Sequence, residues 1–203
     1  MTREDQEAEL PIGEKIRKLR EGACLTPNQL AERTGIEVDE LLRIEKDMIS
    51  PALGVLMRIC DGLGVRLGHF FDQGPRKMYS LVRAEEGKSS TRFATKSGVD
   101  FGQHYFSLGS EKRERVMEPF LITMKAPSDA SGQPIEVEQF TSHPGEEFLY
   151  VLQGKVQVQI EDQVFILGPG DSIYYDSNAR HRICHHGPGE SRTLTVIYRP
   201  RPA

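Results

Sequence analysis

The sequence predicts an α+β chain of two domains, an all-α helix-turn-helix domain followed by an all-β barrel, and three observations carry that reading. From Ile12 to Phe71 apolar residues recur at helical spacing, in five short runs divided by cap and turn signals. At Asp72-Gln73-Gly74-Pro75-Arg76-Lys77 the chain turns polar, and the period behind it changes from helical to extended. Beyond that point come short runs of β-branched and aromatic residues with no helical stretch between them, the pattern of an antiparallel sandwich or barrel.

Each domain has enough chain to bury a core, since the sequence runs to 203 residues. The net charge of -4 gives no overall basic bias, which argues against a nucleic-acid coat but leaves room for a local footprint. No apolar run is long enough to span a bilayer, and the charged start MTREDQEAEL lacks a signal-peptide core. Cys24, Cys60 and Cys184 are scattered and odd in number, which fits a reduced cytoplasm and, for Cys60, a packing role.

Residues 1–11 read as a solvated tail. Ile12, Ile16, Leu19 and Ala23 then mark one face of a first helix, ending near Gly22. Thr26-Pro27-Asn28-Gln29 opens the second, with Thr at the N-cap, Pro at N1 and Gln at N3, and Thr34-Gly35 closes it. A third spans Val38–Lys46 with Leu41 and Ile44 inward. Ser50-Pro51 opens a fourth, carrying Leu53, Leu56, Met57 and Cys60 and stopping near Gly62-Leu63-Gly64. A last helical turn near Leu67–Phe71 adds Phe70 and Phe71 to the core. The second and third helices, joined by a tight turn at Gly35, make the helix-turn-helix. The expected layout is therefore a helical domain over 12–72, a linker over 73–78 and a barrel over 79–203.

Strands are expected at Tyr79–Ala84, Gly102–Leu108, Pro119–Lys125, Ile135–Phe140, Glu147–Leu152, Val156–Ile160, Val164–Leu167, Ser172–Tyr175, His181–His185 and Leu194–Tyr198, with a polar loop or paired excursion over 85–98. Val156, Val158 and Ile160 alternate with Lys155, Gln157 and Gln159, so that strand has one wet face.

The chemistry concentrates in TSHPGEEFLYVLQG, residues 141–154. If the strand includes its start, His143 and Glu147 point to one face, while Glu146 points to the other. His181, after the tight turn Gly168-Pro169-Gly170-Asp171, is the third candidate. Two imidazoles and a carboxylate suit one divalent transition metal, Fe, Zn, Mn or Ni, and equally suit a polar ligand. His104 and Tyr174 are further candidates to line the pocket, with Tyr105 expected on the face opposite His104. His185 shares the parity of His181 and His186 does not. No Ser/His/Asp arrangement and no phosphate-cradling Gly-rich loop is present.

The marks IxxxIRxLR, LTxxxLAxxxGI, LxxIE, SPxLxxL and LGVxLxxFF, running from Ile12 to Phe71, resemble the phage-repressor (Cro/C1, or XRE) DNA-binding domain. That resemblance implies a buried ion pair between Arg20 and Glu45. It also implies a recognition helix over Val38–Lys46 whose Val38, Asp39, Leu42 and Arg43 reach bases, with Asn28 and Lys46 near phosphates. The charge departs from a strong DNA binder. Glu37, Asp39, Glu40, Glu45 and Asp47 surround Arg43 and Lys46, and residues 12–74 hold 9 Lys and Arg against 10 Asp and Glu. Affinity for a single half-site is then weak, and a dimer is expected to supply avidity.

HPGEEFLYVLQG and GPGDSIYYDSNARHRI resemble the two motifs of the cupin superfamily, a jelly-roll barrel, with the motif region over 141–198. The metal-binding members carry HxHxxxE in the first motif and a further His in the second. By position the resemblance makes His143, Glu147 and His181 the ligands, with Thr141 in place of the first His. A helix-turn-helix followed by a cupin implies a DNA-binding transcriptional regulator whose barrel senses a small-molecule effector, with a double-stranded DNA operator, a homodimer or higher homo-oligomer, no membrane and no catalytic residues. The alternative is a mononuclear non-haem iron enzyme, since the hydroxypropylphosphonate epoxidase family looks similar in layout and in its HxxxE…H ligands.

Overall fold

In the computed structural model of the chain, residues 11–71, 77–83, 91–92, 102–112, 114–129, 131–135 and 140–199 are described. Most of the expected tail, of the linker, and of the 85–98 and Ile135–Phe140 segments lies outside them.

Helix α1 (Ile12–Gly22) buries Ile16 and Arg20. Helix α2 (Pro27–Thr34) begins as its sequence requires: Gln29 N–H donates to the Thr26 hydroxyl, and the Thr26 N–H donates back to Gln29 Oε1 at 2.8 Å. Gly35, at φ +62°, ends it with a left-handed residue, which turns the chain into α3 (Val38–Glu45). Helix α4 (Leu53–Leu63) starts later than Ser50-Pro51 suggests. Ala52, in an extended conformation, is its N-cap, so Ser50–Ala52 stay outside the helix, in keeping with the bias of a residue before proline against helical geometry. The final turn, Leu67–Phe70, is a 3-10 helix, so the domain has four α-helices where five were expected.

Among the described residues nine strands form two antiparallel sheets. They are β1 (Thr91–Arg92), β2 (Gln103–Ser107), β3 (Met117–Met124), β4 (Glu146–Gln153), β5 (Lys155–Ile160), β6 (Gln163–Leu167), β7 (Ser172–Asp176), β8 (His181–His186) and β9 (Ser191–Tyr198). The larger sheet has the order β1-β2-β3-β9-β4-β7 and the smaller β6-β5-β8. Residues 79–83 form no strand, contrary to the composition of Tyr79–Ala84. Met78, Tyr79 and Leu81 are exposed, so their apolar character has no sheet face to join.

One apolar core runs through both domains. Ile16, Leu30, Leu41, Ile44, Leu56 and Phe70 fill the helical half, and Phe120, Leu149, Val156, Val158 and Ile197 the barrel. The two halves meet where Phe71 packs edge-on against Phe120, ring centroids 5.0 Å apart.

Candidate functional site: a buried triad beneath the helical domain

Glu147 sits near the start of β4, paired with Tyr175 of β7 on one side and Ile197 of β9 on the other. Its neighbour Glu146 is exposed, as the strand period requires. His143 lies ahead of the strand rather than on it. Its N–H donates to Ser177 O at 2.9 Å, and the preceding Thr141 is bridged to His181 through two backbone hydrogen bonds of 2.8 Å. That bridge brings the second motif under the first. The result is a buried cluster with His143 Nε2 at 2.7 Å and His181 Nε2 at 3.7 Å from Glu147 Oε1.

Second contacts orient the cluster. His181 Nδ1 donates to Ala179 O at 2.9 Å, which leaves Nε2 turned toward Glu147. The Tyr175 hydroxyl donates to Glu147 Oε2 at 2.5 Å. Burial by itself would raise the Glu147 carboxyl, but hydrogen bonds from His143 and Tyr175 and the two nearby imidazoles outweigh it and hold the carboxyl below its usual range. Burial, aided by the neighbouring His143, lowers His181 despite the opposing pull of Glu147. The carboxylate is thus kept charged and the imidazole neutral, the two states that ligate a cation.

The three ligand atoms lie within 4.8 Å of one another. Donors about 2.1 Å from a shared ion sit roughly 3 Å apart, so small side-chain adjustments suffice to converge. With Nδ1 of His181 anchored to a carbonyl, the donor set fits a divalent transition metal, and His143, Glu147 and His181 are the residues that would hold it.

Glu147 and His181 also line a cavity of about 120 Å³ between the sheets. One water needs only about 10–15 Å³, so the space admits a small molecule. Tyr105, Ile122, Met124, Leu149, Thr193 and Thr195 form its larger wall, and residues 181–185 the other. Its roof comes from the helical domain: Ser50, Pro51, Ala52, Leu53 and Gly54, the segment leading into α4. There the Leu53 backbone lies near the Tyr105 hydroxyl, which donates to Gln103. Thr141, half-buried, stands beneath Gly54 and lines the cavity.

Two expected pocket residues are displaced by one position. On β2 it is Tyr105, paired with Ile122, that is buried and lines the cavity; His104, paired with Thr123, takes the opposite face. On β7 Tyr175 points inward to Glu147, and Tyr174 is 63% exposed with its hydroxyl on Glu146. In both cases the register of the neighbouring strand sets the parity, and a slip of one residue exchanges the faces. His185 does line the cavity, and His186 is exposed. The Ser50–Gly54 roof was not legible from local pattern, because it is made by packing between domains.

In the helical domain Asn28, Asp39, Arg43 and Lys46 are exposed, whereas Val38 and Leu42 are half-buried and Val38 packs on the core. Arg20 forks onto Glu45, Nε to Oε1 at 2.6 Å and Nη2 to Oε2 at 2.8 Å, and Nη1 also donates to Leu25 O at 2.8 Å. The pair ties α1 to the far end of α3.

Residues 11–69 match the helix-turn-helix domain model and residues 132–197 the cupin domain model. The chain is 22% identical over 192 residues to the HTH-type transcriptional regulator PuuR of Escherichia coli (strain K12), covering 92% of this chain and 94% of that one. Among solved structures, an HTH_3 family transcriptional regulator from Vibrio cholerae superposes with a TM-score of 0.62 at 20% identity, over 95% of this chain and 97% of that one. Hydroxypropylphosphonic acid epoxidase from S. wedmorenis gives a TM-score of 0.43 at 20% identity, over 94% and 98%.

Proposed function

We propose, from the premise that this chain is a transcriptional regulator joining a helix-turn-helix domain to a cupin domain, that the barrel cavity is its effector site and that the effector acts through Ser50–Gly54. The observation that carries this reading is the shared wall. The segment roofing the cavity follows α3 after only Lys46–Ile49 and leads into α4. A small molecule held by Glu147 and His181 therefore touches the helical domain directly. An effector favouring one placement of Ser50–Gly54 over another shifts how paired recognition helices are spaced, which is all that linkage requires.

The DNA-facing residues in this reading are Asn28, Val38, Asp39, Leu42, Arg43 and Lys46, with Arg43 and Lys46 the exposed bases on or beside α3. Two half-sites about one helical turn apart call for a dimer. Edge strand β6 supports one, since Val164, Phe165 and Ile166 are all exposed on a strand that among the described residues pairs only with β5.

The test is operator selection from random duplex DNA with the full chain, followed by titration of Arg43→Ala. The expected result is a specific site whose affinity falls about tenfold or more in the variant and steeply with salt. Unchanged affinity would remove Arg43 from the contact set.

The triad favours a second reading, a mononuclear metal enzyme, because three ligand donors and an adjoining cavity also describe an open catalytic metal site. Metal analysis of the purified chain with assays for O2-dependent turnover separates the two. Stoichiometric iron with turnover selects the enzyme. A retained small molecule without turnover selects the sensor.

A further inference from the structure

We propose that a second cleft, between the two domains on the far side of His143 from the barrel cavity, is a binding site for a small oxyanion of the phosphate class. The cleft has a volume of about 280 Å³ and is lined by Arg33 at the end of α2, Arg58 and Asp61 of α4, Ser142 and His143 ahead of β4, and Asn178.

The charge there is out of balance within the protein. Asp61, the carboxylate of the cleft, is engaged by Arg199. Among the described residues, Arg33 and Arg58 donate to backbone oxygens. Arg33 Nη1 donates to Gly62 O at 3.4 Å, and Arg58 Nη1 to Thr34 O at 3.4 Å and Gly35 O at 3.2 Å. Those carbonyls belong to the C-terminal ends of α2 and α4, so they hold the guanidinium groups in place without neutralising them. Arg58 Nε is buried and has no hydrogen-bond partner among the described residues.

A second observation points into the same space. His143 is only 3% exposed, and its Nδ1 has no partner among the described residues, although its Nε2 is fixed on Glu147. Buried polar atoms are rarely left unmatched, so such atoms mark places where a ligand or ordered water completes the bonding. The two guanidinium groups and the Ser142 hydroxyl are donors, and with its Nε2–H given to Glu147 His143 offers Nδ1 to a phosphate hydroxyl. Together they suit a compact, charged oxyanion that keeps one hydroxyl.

An oxyanion here touches both domains and reaches the barrel triad through one imidazole, with Nδ1 on the anion and Nε2 on the Glu147 side. Occupancy of the cleft and of the barrel are then linked, as a hydrogen-bonded second partner tunes a ligating histidine.

The test titrates the full chain with inorganic phosphate at constant ionic strength against chloride, by calorimetry and by the ring 15N shifts of His143. A saturable, phosphate-specific response is expected, with a shift at His143 Nδ1. Arg33→Gln and Arg58→Gln should each weaken it about tenfold or more. Thermal unfolding in chloride shows that each variant is folded, and Arg58→Lys, which keeps charge and loses the fork, should fall between. A response equal to that in chloride, or one that R33Q and R58Q leave intact, would overturn the proposal and assign the space to water.

Discussion

Gly54 of α4 lies directly over Thr141 of the first cupin motif, so closely that a Cβ on residue 54 would overlap the threonine side chain. Helix interiors disfavour glycine by about 1 kcal/mol relative to alanine, so a glycine in the first turns of α4 needs a tertiary cause. The cause is the approach of the helical domain to the barrel mouth. The same contact accounts for Thr141, since the larger imidazole found there in metal-binding cupins would meet α4. Gly54→Ala should therefore destabilise the chain despite its better helix propensity, and Gly54→Val should do so by more. Both should make the segments joining the domains more accessible to limited proteolysis. A Gly54→Ala variant with a higher Tm would mean that the two surfaces do not close on each other.

Arg20 and Glu45 make the other inter-element tie that a single substitution can expose. The two side chains are 9% and 3% exposed, and the hydrogen bonds that the Arg20 guanidinium donates to Glu45 raise it above its ordinary value. Removing one partner strands a buried charge, at a cost of about 3–5 kcal/mol. Glu45→Gln is expected to lower Tm sharply, whereas the double variant Arg20→Met/Glu45→Leu should recover much of the loss. For contrast, the exposed Lys18–Glu14 pair, at 3.4 Å, should matter by no more than about 1 kcal/mol. Equal effects at the two pairs would contradict the burial argument.

The exposed edge of β6 carries a prediction about assembly. Val164, Phe165 and Ile166 are 54%, 41% and 46% exposed, and the strand's outer hydrogen-bonding edge has no neighbouring strand among the described residues. A second copy that covers this edge would satisfy both needs. Phe165→Lys should halve the mass measured by light scattering and weaken operator binding through lost avidity, leaving the far-UV spectrum unchanged. If Phe165→Lys keeps the mass of the parent chain, the dimer contact lies elsewhere.

What the sequence disclosed and what it withheld divide along a physical line. The Thr26/Gln29 capping box and the Gly35 stop are local, set by a few neighbouring residues, and they appear where the pattern places them. The triad was legible because two motifs of fixed spacing carry it, even though His143 lies before its strand rather than on it. Strand parity was less secure. Tyr105 and Tyr175 point inward instead of His104 and Tyr174, because register is fixed by partner strands far along the chain. The roof of the cavity could not be read at all, since Ser50–Gly54 and Thr141 are about 90 residues apart and only docking joins them.

Three cysteines in three environments give a way to follow that docking. Cys24 is exposed, Cys60 is buried in α4, and Cys184 is half-buried in the wall of the barrel cavity. Burial, far more than any charge, pushes the Cys60 thiol up to about 12 from an ordinary 9.0. The reactive thiolate at pH 8 is then scarcer there by about a thousandfold than at an unperturbed cysteine, before access is considered. Burial also raises Cys184, partly offset by Arg182. Labelling with a thiol-specific reagent should therefore proceed in the order Cys24, Cys184, Cys60, with Cys60 reacting only as the chain unfolds. A molecule that fills the barrel cavity should slow Cys184 alone, and opening the roof with Gly54→Val should quicken it. A Cys184 rate indifferent to both would place the effector outside this cavity.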